Sequence, residues 1–207
     1  MRGEIMTKIA VLASGEGTNL EAILEAAEAG EISGRVVLVI SDRKKAPALD
    51  RARRRGVEAL WLDTRPYRER AAYDRILLEK LQQARIDLVV LAGFMRLLSP
   101  VLIKAYPNRI MNTHPALLPA FPGVAGVSEA LAYGVRVSGC TVHFVDEGID
   151  TGPVILQEAV PVLQNDTEEM LHRRIKAAEY LLYPRAIELF CRGRLRVEGR
   201  RCYIERG

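Results

Sequence analysis

The sequence predicts a doubly wound α/β fold with a mostly parallel, Rossmann-like sheet of about seven strands. Three observations support this. Short apolar runs alternate with helical patterns five times from Lys8 onward. The fourth run, "DLVVLAG" (87–93), is almost wholly apolar, as a strand covered on both faces should be. A turn with two glycines joins the first run to the first helical pattern, as in a βα unit.

The elements follow in order. "KIAVLAS" (8–14) reads as a buried strand. "TNLEAILEAAEAG" (18–30) reads as a helix with Leu20, Ile23, Leu24 and Ala27 on one face and Gly30 as C-cap. "RVVLVIS" (35–41) is a second strand, 46–55 a helix stopped by Gly56, and "EALWL" (58–62) a third strand. A long helix is expected over 67–85. After the fourth strand, Ser99 and Pro100 supply an N-cap and first-turn pair for a helix over 99–106. "RIMNTH" (109–114) is a fifth strand and 127–133 a short helix. Strands follow at 137–145 and 152–162. A long C-terminal helix over 167–193 should kink at Pro184, and "LRVEG" with "RCYIE" closes the chain as a small hairpin.

Composition bounds the function. The 207 residues are 49% hydrophobic, enough for a substantial core, and the formal charge is +4. That charge suits anionic small molecules and falls short of a nucleic-acid-binding tail. Arginines outnumber lysines, and "RARRR" (51–55) is the densest basic patch, read as a solvated helix face. Cys140, Cys191 and Cys202 are odd in number with no C-x-x-C pair. This argues against a disulfide framework or zinc site and fits a reducing cytoplasm. No apolar run approaches the roughly 18 residues of a membrane span, and the N-terminus has no apolar signal segment.

In a doubly wound sheet, ligands sit beyond the carboxyl ends of the strands. Residues 14–19, 41–43, 93–98 and 112–123 should therefore share one edge. In the turn Ser14-Gly15-Glu16-Gly17-Thr18-Asn19, the glycines allow a tight bend and the helix opens with free N–H groups, an anion site. A dinucleotide fingerprint needs a third glycine where Leu20 stands. Asp42, ending the second strand, keeps a nicotinamide oxidoreductase as a rival on this turn alone.

"MNTHPALLPAFPG" (111–123) is the central constellation. Residues two apart on a strand point the same way, so Asn112 and His114 share a side and Thr113 faces the other. Pro115, Pro119 and Pro122 restrict the following loop. An amide donor and an imidazole at a strand end suit oxyanion stabilisation and proton movement. "HFVDEGIDTGPVILQ" (143–157) offers acidic partners, of which Asp150 is preferred. Close to His114, its carboxylate would stabilise a positive ring.

"SGEGTNL", "LAGFMRLLSP", "NTHPALLPAFPG", "HFVDEGIDTGPVILQ" and "EYLLYPRAI" together resemble the phosphoribosylglycinamide formyltransferases, a folate-dependent formyltransferase family. The resemblance runs from about Lys8 to Ile187 with the motifs in the family's order. It implies a single formyltransferase domain over 1–207, with 1–6 a loose N-terminus. It implies formyl transfer from 10-formyltetrahydrofolate to the amine of 5'-phosphoribosylglycinamide, in purine biosynthesis, without a metal. Catalytic roles fall on Asn112, His114 and Asp150, with His143 as an auxiliary histidine. Phosphate and nucleotide binding fall on Gly17, Thr18, Asn19 and Glu179. Folate binding falls on Arg70, Met95, Arg96, Leu97, Leu98 and Asn112. The implied partners are small molecules, with no nucleic acid or membrane, in a cytoplasmic monomer or homodimer.

The chain departs from the family after "FPG". "VAGVSEA" (124–130) lacks the usual histidine and basic residues, with Ala125 and Ser128 where polar side chains are common. Formyltetrahydrofolate hydrolysis and a non-catalytic nucleotide-binding module are the further alternatives.

Overall fold

A computed structural model describes residues 6–206. Residues 1–5 of the expected loose N-terminus lie outside the described residues, and Met6 is exposed. The chain runs β1 (Lys8–Leu12), α1 (Thr18–Glu28), β2 (Arg35–Ser41), α2 (Pro47–Arg54), β3 (Glu58–Trp61), α3 (Arg70–Gln83), β4 (Leu88–Leu91), α4 (Pro100–Ala105) and β5 (Ile110–His114). It continues through α5 (Gly126–Tyr133), β6 (Val137–Phe144), β7 (Val154–Pro161), α6 (Glu168–Cys191), β8 (Leu195–Glu198) and β9 (Arg201–Ile204).

These strands form one nine-stranded sheet, β3-β2-β1-β4-β5-β6-β7-β9-β8. β1 to β5 are parallel neighbours, as successive crossovers through helices require. β6 pairs antiparallel with both β5 and β7. The expected seven strands are all present. The C-terminal hairpin adds β8 and β9 to the same sheet, since β9 meets β7 through Val154 and Arg201.

Helices cover both faces. Leu20 and Ile23 of α1 and Leu171, Ile175 and Ile187 of α6 pack with Ile9, Val11, Val90 and Met111 in one buried cluster. Tyr73, Leu77 and Leu81 of α3 and Leu102 of α4 pack with Ala10, Leu12, Val89 and Ile110 in the other. Alternate residues of β1 and β4 thus enter opposite cores, which explains why both read as unbroken apolar runs.

Two local expectations are corrected, the start of α3 and the solvated reading of 51–55. α3 starts at Arg70, because the preceding residues are turned, with Tyr67 N–H bonded to Thr64 O at 3.0 Å. Ser99 sits at the N-cap of α4, but its hydroxyl makes no cap bond. Its own N–H is held by Asp74 Oδ2 at 2.5 Å. α6 continues as one helix through Pro184. The basic run at 51–55 is not simply solvated. Arg51 pairs with Glu21 at 2.9 Å, and Arg55 pairs with Glu21, Glu25 and Glu28 across the α1–α2 interface.

Candidate active site

The carboxyl ends of β1, β4 and β5 converge on one edge. Ser14 N–H donates to Gly93 O at 3.0 Å, and Ser14 Oγ accepts from Met95 N–H at 2.9 Å. The turn after β1 is thereby fastened to the loop after β4. Ser14 carried no chemical signal in the sequence, since its part is to join two loops.

Gly17 caps α1 in the left-handed region, at φ 72°. A Cβ there would lie 2.7 Å from Ala48 Cβ, so the turn can approach α2 only with glycine. Thr18 and Asn19 open α1. Asn19 Nδ2 donates to Glu179 Oε2 at 2.9 Å, tying the turn to α6, while Asn19 Oδ1 is buried without a partner among the described residues. Burial raises the pKa of Glu179. The hydrogen bond from Asn19 and the nearby hydroxyl of Thr113 oppose the rise without cancelling it. Thr113 thus points to the α6 side, opposite Asn112 and His114, as strand alternation requires.

On the other side, β5, β6 and the loop from β6 to β7 bring four polar residues together. Asn112 lies opposite His143 in the antiparallel register, with Asn112 Nδ2 3.4 Å from His143 Nε2. His114 Nδ1 is 3.3 Å from Asp150 Oδ2, and His143 Nε2 is 3.6 Å from Asp150 Oδ1. One carboxylate thus faces two imidazoles that are 3% and 2% exposed. Asp150 also accepts Gly123 N–H at 2.8 Å and holds a left-handed φ of 53°. Burial pushes its pKa up, but hydrogen bonding to His143, the Gly123 N–H and the charge of His114 together hold it below the usual carboxylate value.

The remaining ring nitrogens fix the proton positions. His143 Nδ1 is 2.9 Å from Phe144 O and His114 Nε2 is 2.7 Å from Phe121 O. A carbonyl can only accept, so each of these nitrogens bears a hydrogen. In the neutral forms, His114 Nδ1 and His143 Nε2 are therefore the open positions. Phe121 reaches His114 from the proline-restricted loop with φ 52°.

The unusual 124–130 segment also meets this ring. Gly126 starts α5, and a Cβ on it would sit 3.2 Å from His114 Nε2 and 3.1 Å from Phe121 O. Sequence reasoning missed Phe121 and Gly126, because one acts through its backbone carbonyl and the other through a missing side chain.

The other folate candidates line the loop after β4. Met95 and Leu97 are exposed, Leu98 is buried, and the Arg96 guanidinium lies 4.6 Å from the centre of the Tyr73 ring. Arg70 is exposed at the start of α3, one turn before Tyr73.

Residues 7–187 match the formyl transferase family. The chain belongs to that family. Phosphoribosylglycinamide formyltransferase of Escherichia coli (strain K12) is 41% identical over 197 residues, covering 95% of this chain and 93% of that protein. The crystal structure of glycinamide ribonucleotide transformylase 1 from Symbiobacterium toebii superposes with a TM-score of 0.96 at 56% identity, over 99% of this chain and 96% of that one. The trifunctional purine biosynthetic protein adenosine-3 of Drosophila melanogaster is 44% identical over 188 residues, and this formyl transferase spans only 14% of its length. The family match displaces the oxidoreductase reading. Leu20, at the position of the missing third glycine, is fully buried in the core.

Proposed function

We propose that this formyl transferase moves the formyl group of 10-formyltetrahydrofolate onto the amine of 5'-phosphoribosylglycinamide, giving N-formylglycinamide ribonucleotide. One observation supports this most strongly. A carboxylate lies between two histidines, with Asn112 beside one of them on the same side of β5, and the turn that opens α1 lies at the same sheet edge. Relatives of matching length bear the name of this activity. A phosphate-bearing acceptor explains the turn at Gly17, Thr18 and Asn19, which hydrolysis with water as acceptor would leave without use.

The amine lone pair attacks the formyl carbon, and the carbonyl π electrons move onto oxygen. Asn112 Nδ2 donates to that oxyanion. His114 becomes a second donor when the oxyanion replaces the Phe121 carbonyl at Nε2, with ionised Asp150 balancing the imidazolium through Nδ1. Collapse breaks the bond from the carbon to the folate nitrogen. A water held by Asp150 carries the proton from the attacking amine to that leaving nitrogen, so no metal or covalent enzyme intermediate is required. His143 holds Asp150 and Asn112 in register. Glu179 and Asn19 receive the nucleotide, and Arg70 with 95–98 receives the folate.

We read 1–207 as one formyltransferase domain acting on small molecules as a monomer or homodimer. Its three free cysteines suit the cytoplasm, and among the described residues no helix is long and apolar enough to cross a membrane. The test is to mix the protein with 10-formyltetrahydrofolate, with and without the nucleotide, and follow deformylated folate. Nucleotide-dependent release supports the proposal. Release without the nucleotide supports hydrolysis instead, and no release overturns both.

A further inference from the structure

The basic run "RARRR" (51–55) is a sequence motif that the proposed reaction leaves without a part. Its first member, Arg51, meets the turn that opens α1. Arg51 Nε donates to Glu16 O at 2.8 Å, and Nη1 of the same guanidinium donates to Glu21 Oε2 at 2.9 Å. One turn earlier on α2, Ala48 N–H donates to Gly15 O at 3.2 Å. Two successive carbonyls of the turn are therefore held by α2.

Those two bonds fix which way the amides point. Both peptide bonds are trans. In a planar trans peptide the C=O and the following N–H point in opposite directions. With Gly15 O and Glu16 O turned to α2, the N–H groups of Glu16 and Gly17 are turned away from it. They add to those of Thr18 and Asn19 at the start of α1. Among the described residues, no hydrogen bond takes up any of these four N–H groups. A bond accepted by a carbonyl also polarises its peptide, which strengthens the N–H as a donor.

The charge balance favours the same role. Glu21 lies in the first turn of α1, where its carboxylate would repel an arriving phosphate. Arg51 takes one of its oxygens and Arg55 the other. Arg53, by contrast, turns to Asp50 on its own helix.

We infer that Arg51 is a positioning residue for the nucleotide phosphate: together with the Ala48 N–H it aims the N–H groups of the turn at that anion, and it shields Glu21. This rests on the proposed formyl-transfer reading, in which the turn at Gly17, Thr18 and Asn19 receives the phosphate. Arg51 acts through the backbone it holds and need not touch the substrate.

The test measures KM and kcat for 5'-phosphoribosylglycinamide at saturating 10-formyltetrahydrofolate, and the calorimetric Kd of the nucleotide without folate. Arg51→Met keeps an apolar stem and removes both bonds. Its nucleotide KM and Kd should rise about tenfold. Its kcat and its KM for the folate should be unchanged, and so should kcat/KM for glycinamide riboside, which lacks the phosphate. Arg51→Lys keeps a charge beside Glu21, but lysine has no guanidinium fork to hold Glu16 O and Glu21 at once. Its Tm should match the wild type while the nucleotide KM stays raised, so it carries the test if Arg51→Met folds poorly. Arg53→Met, which loses only an exposed pair, should leave every constant unchanged. A wild-type nucleotide KM in Arg51→Met, full recovery in Arg51→Lys, or an equal loss with the riboside overturns the inference and leaves formyl transfer standing. Nucleotide-independent turnover, or none, in the wild type is the separate failure of the functional reading.

Discussion

His114 Nδ1 faces Asp150 Oδ2 at 3.3 Å, and the second oxygen of that carboxylate faces His143. Asp150→Asn keeps the shape and removes the charge. In the proposed mechanism that charge balances an imidazolium, so kcat should fall on the order of 100-fold or more. Steady-state kinetics with both substrates checks this, and near-normal kcat would remove Asp150 from the mechanism.

The same carboxylate links stability to acid. Its folded pKa lies below the unfolded value, so its contribution is fully present above about 3.8, the ordinary aspartate value, and disappears as pH falls through the lower folded value. In acid unfolding followed by circular dichroism, Asp150→Asn should flatten this part of the stability profile relative to the wild type. An unchanged profile would contradict the depressed pKa.

Gly126→Ala tests the contact between α5 and the imidazole. The new Cβ would stand 3.2 Å from His114 Nε2 and 3.1 Å from Phe121 O, so the ring or the loop must move by a few tenths of an ångström. The helix itself tolerates alanine better than glycine. The expected result is a reduced kcat with little loss of thermal stability. A variant as active as the wild type would show that the ring has freedom to spare.

The pairing of Asn112 with His114 was legible because strand alternation is strict. Asp150 was legible because an acid on a glycine-bearing turn has few places to go. The nine-stranded sheet was less so. The single bridge between Val154 and Arg201 joins residues far apart in sequence, and no periodicity encodes it. Phe121 and Gly126 escaped because sequence motifs report side chains, whereas these positions act through a carbonyl and an absent methyl. The start of α3 was placed early because Tyr67 and Arg68 continue the helical pattern, while Arg65, Pro66 and Tyr67 form a turn. Charge balance was illegible for a similar reason. "RARRR" looked solvated until α1 placed Glu21 and Glu28 against it.

Glu179→Gln separates stability from binding. Burial raises the pKa of this acid, so the native state binds its proton more tightly than the unfolded state. The sign follows. Stability is fully present below about 4.5, the ordinary glutamate value, and falls as pH rises through the folded value. The neutral amide has no such slope, so the variant should be more stable than the wild type at pH 7. Its KM for the nucleotide should rise roughly tenfold or more, because a charged acceptor is lost. Thermal melts between pH 4 and 7 with nucleotide kinetics decide it. A variant less stable at pH 7 would show that the carboxylate is compensated in the fold.

Tyr183→Phe probes how α6 supports the edge of the sheet. The Tyr183 hydroxyl is fully buried, 3.0 Å from Leu91 O and 2.9 Å from Met111 O. These carbonyls end the β4–β5 ladder, where the loop with Met95 and Arg96 leaves the sheet and Asn112 begins the site. A phenolic hydroxyl has a single proton, so the two carbonyls share it. Phenylalanine preserves the ring packing and leaves both carbonyls without that donor, at a cost of about 1–3 kcal/mol. At this chain length that corresponds to a fall in Tm of very roughly 2–12 °C. If the hydroxyl also holds the two strand ends in register, kcat should drop more than either KM, because Asn112 shifts while the turn at Gly17, the proposed substrate-binding turn, is undisturbed. Loss of stability with unchanged kcat would confine Tyr183 to the fold.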